Sequence, residues 1–171
     1  MTWPQPLAMS LVVLWAAHGS AAGEPCSPTS VLTQLRAGQF VRIDRMRDFP
    51  SDLLAEFWRV IPGYAPPQSF AEPGEDFQVT DVISKRRLPW RRLIFGGRSP
   101  SVTFIYYEKG GRGLSRHLFV KCSQGASARS FSYLRPPQAE DVPSLLGGLA
   151  ETCLVEPPRE YLESADPDRC L

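Results

Sequence analysis

Three β-type runs separated by two glycine-rich breakers constrain this chain's fold most. Residues 90–95, 102–108 and 115–122 are rich in Leu, Ile, Val, Phe and Tyr, side chains suited to a pleated, half-buried surface. Between them lie Gly96-Gly97-Arg98-Ser99-Pro100 and Lys109-Gly110-Gly111-Arg112-Gly113. Glycine reaches positive φ without steric cost, so both breakers read as chain reversals. Strands joined by such short connections form an antiparallel meander. Residues 129–134 add a fourth strand after the Ser/Gly-rich link at 123–127. Residues 39–44 alternate polar and apolar as a strand does, and residues 77–83 read as another from Phe77, Val79, Val82 and Ile83.

Helical periodicity marks three other segments. In residues 27–36, Ser27 is the cap, Pro28 suits the first helical position and Gly38 the exit. Residues 51–61 place Leu53, Leu54, Phe57, Trp58 and Ile61 on one broad apolar face, and Pro62-Gly63 ends the run. Residues 141–153 carry Leu145, Leu146 and Leu149 on one side, weakened by Gly147-Gly148 at about 1 kcal/mol per glycine. Residues 63–76 are rich in Pro, Gly and acids and read as a long loop without regular structure. The predicted fold is α+β: an antiparallel β-meander sheet of four to six strands, with two or three helices packed on one face, stapled by disulfides.

The first 22 residues read differently. They contain no Lys, Arg, Asp or Glu, carry an apolar run from Leu11 to Ala17, and close in small residues with Ser20 and Ala22 before the cut. That is the outline of a secretory signal peptide. The apolar stretch is too short for a spanning helix, which needs about 20 residues, so no membrane span is expected after its removal. Residues 23–171 then form one domain ending in an acidic, proline-rich tail, and the protein is expected to be secreted or periplasmic.

All four cysteines, Cys26, Cys122, Cys153 and Cys170, follow the signal. An even count in an oxidising compartment implies disulfides. Three pairings are open. The preferred one joins Cys122 to Cys153 and Cys26 to Cys170, pinning the third helix to the sheet and joining the chain ends. Cys153 with Cys170 is the rival, stapling the tail locally.

Composition narrows function by subtraction. Lys and Arg number 19 and Asp and Glu 18, a net charge of +1, which gives no field for nucleic acid. His117 is the one histidine beyond the signal, and the cysteines lack C-x-x-C spacing, so no metal site and no cofactor are expected. No Ser stands in a G-x-S-x-G elbow.

What remains is a basic cluster. In a meander, the Lys109–Gly113 turn shares one end with the start of the first strand, so Lys85, Arg86, Arg87, Lys109, Arg112 and Arg116 are predicted to converge on one rim. Arginine forks suit carboxylate, phosphate and sulfate, and the glycines beside Arg112 would let a ligand approach the backbone. The plain alternative is charge compensation by the tail, which holds six acids between Glu151 and Asp168.

Two lesser candidates stand beside the rim. His117 with Glu108 on the neighbouring strand would be a general base oriented by a carboxylate. Residues 96–100 would present Arg98 as a recognition loop if they were not simply a hairpin turn. The leading expectation is a non-enzymatic binding or accessory protein, inhibitor-like or envelope-associated, engaging an anionic protein or polysaccharide through the rim. The alternatives are a small extracytoplasmic hydrolase using His117 and a structural envelope component.

Overall fold

The computed structural model describes residues 26–61, 70–82, 88–111, 113–124, 127–133, 136–150 and 153–155. The first helix, α1 (Pro28–Ala37), starts where the sequence signals it. The Ser27 hydroxyl accepts from the Ser30 N–H at 3.3 Å, and Pro28 occupies the first turn, where its missing N–H costs nothing. A short strand, β1 (Val41–Ile43), and one 3₁₀ turn (Met46–Asp48) lead into α2 (Ser51–Val60). The helix closes at the Ile61 cap, whose N–H donates to the Phe57 carbonyl.

Next come β2 (Phe70–Ala71), β3 (Arg91–Arg98), β4 (Val102–Lys109), β5 (Ser115–Gln124) and β6 (Ser127–Tyr133). The chain continues through α3 (Val142–Gly147) to β7 (Leu154–Val155). The four long strands β3 to β6 are the antiparallel meander. Its outer neighbours are β7 against β6, and β1 and β2 both against β3. β1 pairs antiparallel with Gly96–Arg98, whereas β2 pairs parallel with Arg91 and Arg92. Between those two stretches the register of β3 slips at Leu93/Phe95. The extra residue reverses the phase of the strand, so Leu93 and Phe95 point to opposite faces.

Strand alternation then builds two cores. One face presents Phe104, Tyr106, Leu118, Val120 and Phe131, and both α1 and α3 cover it through Val31, Leu32, Leu35, Leu145 and Leu146. The other presents Leu93, Ile105, Tyr107 and Phe119, covered by Leu53 and Phe57 of α2. Two helices thus share a face as predicted, and the third packs on the opposite one. Phe57 is fully buried, edge-on to Trp58, Phe70, Tyr107 and Phe119 at 5.0–5.6 Å. Burying a side chain of that size stabilises by about 2–3 kcal/mol.

Several sequence expectations are corrected. Residues 77–82 form no strand and make only an isolated bridge, Thr80 with Gly111. Gln78 curls this segment, its side-chain amide donating to the carbonyls of Thr80 (2.9 Å) and Val82. The loop at 63–76 supplies a strand after all, β2. Gly96, Gly97 and Arg98 lie inside β3, and the reversal sits at residues 99–101. A Cβ on Gly96 would overlap the Phe49 ring, so this glycine admits a close-packed aromatic and presents no loop. The third helix stops at Gly147, six residues short of Cys153, with Gly148 as its cap. Finally, Cys26 pairs with Cys122. That link ties the start of α1 to β5 and rules out both preferred pairings. Cys153 is also in a disulfide, and Cys170 lies outside the described residues.

Candidate functional site

The end of the sheet where β3 begins is built from three cross-strand rows. Arg91 faces Lys109, which faces Ser115. Arg92 faces Glu108, which faces Arg116. Leu93 faces Tyr107, which faces His117. Convergence of the Lys109–Gly113 turn with the start of β3 is therefore as the meander argument predicts, and the Gly110 N–H donates to the Trp90 carbonyl at 2.9 Å.

Adjacent rows point to opposite faces, and this separates the predicted residues. On the α1/α3 side, Glu108 is 6% exposed and shared by two arginines. Arg92 Nη2 lies 2.7 Å from Oε2 and Arg116 Nη2 3.4 Å from Oε1. The Arg92 guanidinium also sits 4.4 Å from the centre of the Phe77 ring. Arg116 is thus a partner of Glu108, on the opposite face from Lys109. Glu108 cannot orient His117 either, since the two occupy adjacent rows on opposite faces.

On the α2 side, Lys109 stands across from Arg91, whose side chain is nearly buried. Burial pushes the Arg91 guanidinium down. Tyr107, enclosed in the core, is pushed up by the same loss of solvation, with Arg91 opposing. The His117 ring stacks on Tyr107, centroids 5.2 Å apart. Burial, then the positive charges of Lys109 and Arg91, hold His117 down to about 4, so it is neutral at pH 7. Its Nε2 lies 2.8 Å from Ser115 Oγ, and the Lys109 carbonyl, at 3.3 Å, is a second acceptor within reach of that one hydroxyl proton. Lys109 makes no ion pair among the described residues.

Of the predicted rim, Lys85, Arg86, Arg87 and Arg112 lie outside the described residues. At Gly110 the predicted ligand approach is taken by the protein's own backbone, since a Cβ there would overlap the Gln78 carbonyl. Gly111 and Gly113, which flank Arg112, have nothing within 4 Å of a built Cβ, and the Gly111 N–H donates to the Val79 carbonyl at 3.3 Å. Sequence reasoning does not select Arg91 or Ser115. Each alternates correctly with its neighbours, but only the strand register places them beside Lys109.

Among the described residues, no group of three or more His, Cys, Asp or Glu is placed to hold a metal ion, and no helix is long and apolar enough to cross a membrane. No family model, curated protein or solved structure matches this chain.

Proposed function

We propose that this protein is an exported, non-enzymatic binding protein that engages an anionic protein or polysaccharide through the Lys109 end of its sheet. The observation that supports this reading most is Lys109 at this end of the sheet. It makes no ion pair among the described residues, because the nearest strand carboxylate, Glu108, is turned to the other face and shared by Arg92 and Arg116. Its ammonium is therefore available to an anion. Lys85, Arg86, Arg87 and Arg112 complete the basic set in this reading. Export is supported by the signal-like residues 1–22 and by the Cys26–Cys122 disulfide.

The test is retention of the processed chain on a sulfated polysaccharide resin over a salt gradient. The wild type should elute at clearly higher salt than a variant carrying Lys85→Gln, Arg86→Gln, Arg87→Gln and Lys109→Gln. Equal elution would reject the reading. The Ser115–His117 contact is the one observation that favours hydrolysis, since a hydroxyl hydrogen-bonded to a neutral imidazole is a nucleophile–base pair. Among the described residues no carboxylate hydrogen-bonds the His117 ring to orient it. Ester turnover abolished by both Ser115→Ala and His117→Gln would put the hydrolase in place of the binding protein.

A further inference from the structure

The opposite end of the sheet carries a second cluster of cations, on the α2 face. Arg98 faces Thr103, and Thr103 faces Lys121. The two cations are therefore two strands apart, roughly 9–10 Å at the backbone. They do not touch, and their side chains can bracket something seated over Thr103. Both line a hollow of about 160 Å³ that also includes Ser101, Ser123 and Asp52.

The donors of this hollow are largely uncommitted. Arg98 is exposed and makes no ion pair among the described residues. The hydroxyls of Ser101, Thr103 and Ser123 make no hydrogen bond among them. Lys121 is mostly buried, and its ammonium reaches Asp52 Oδ2 at 2.5 Å. Asp52 itself is 68% exposed and lies where an incoming anion would compete with it. The volume is about five times the share of one water molecule in the liquid. That suits a single tetrahedral oxyanion and little more.

We infer that this hollow is a binding site for one phosphate or sulfate group, either the free ion or the head of a small ester. The guanidinium fork of Arg98 supplies directional donors, Lys121 a point charge, and the three hydroxyls further donors. The site is separate from the Lys109 end and stands or falls independently of the function proposed above.

The experiment is an amide NMR titration of the ¹⁵N-labelled processed chain at pH 7 and low salt. Inorganic phosphate, inorganic sulfate and O-phosphoserine serve as probes, with chloride as control. Saturable shifts of the Thr103 and Ser123 amides are expected. Arg98→Gln, a change at an exposed side chain, should weaken binding roughly tenfold or more, the scale of one lost charge-assisted hydrogen bond. Asp52→Asn should tighten it by removing the competing carboxylate, and Lys109→Gln should leave it unchanged. Stronger binding of O-phosphoserine identifies an ester as ligand, and stronger binding of an inorganic probe identifies the free ion. Shifts that never saturate would overturn the site, as would an Arg98→Gln variant that binds as tightly as wild type.

Discussion

His117 shows how one residue's behaviour follows from its surroundings. Burial disfavours its charged form, and the positive charges of Lys109 and Arg91 add to this, so its surroundings oppose protonation. The folded value near 4 lies below the unfolded value of 6.5. The unfolded chain therefore binds the proton more readily between those values. Stability is fully present above pH 6.5 and is lost as pH falls toward 4, by up to about 3 kcal/mol. Urea denaturation from pH 7 to pH 4.5 should show this decline, and His117→Gln should flatten it. Asp52 and Glu56 are held below the ordinary carboxylate range by Lys121 and Arg59 respectively, so most of their linkage falls at lower pH. At this scale the sequence identified His117 as singular. It could not tell that Glu108 points the other way, because adjacent strand residues alternate faces and the register was unknown.

The elements were legible where their signals are local. The Ser27 cap, the breadth of the α2 apolar face and the β3–β4–β5 meander each depend on neighbours a few residues apart, and each is present. Most of the failures come from contacts between residues distant in sequence. Residues 77–82 alternate like a strand, yet Gln78 bonds its own segment and the backbone lies against the Lys109–Gly113 turn. Gly96 and Gly97 look like a turn, yet they are strand residues with aromatics packed close above them. Gly110 offers a direct test. With no room for a Cβ between it and the Gln78 carbonyl, Gly110→Ala should push residues 77–80 off the turn. Hydrogen exchange at the Gln78 amide, which donates to the Pro89 carbonyl at 2.8 Å, should speed up at least tenfold while the core of β4 stays protected. Unchanged exchange at Gln78 would mean that the segment is held by something else.

For the molecule as a whole, the Cys26–Cys122 bond closes a loop spanning 96 positions. It enters the buried core that α1 and α3 form over the sheet. Constraining an unfolded loop of that length is worth about 4–5 kcal/mol on entropic grounds. The double replacement Cys26→Ser, Cys122→Ser should lower the unfolding free energy by that order in guanidinium titrations. A loss below about 1 kcal/mol would show that the unfolded chain is already restricted by other means.

By itself the sequence determined the α+β class, the meander, the main helices, and a chemistry poor in histidine and in closely spaced thiols. These are consequences of periodicity and composition, which short segments carry without reference to the rest of the chain. The tertiary structure alone decided which thiols pair, that α2 lies opposite α1 and α3, and how the charged rows divide. It set Arg116 on Glu108, Lys109 across from Arg91, and Arg98 in line with Lys121. Each of those outcomes depends on register, and a shift of one residue along β4 would have exchanged the two faces.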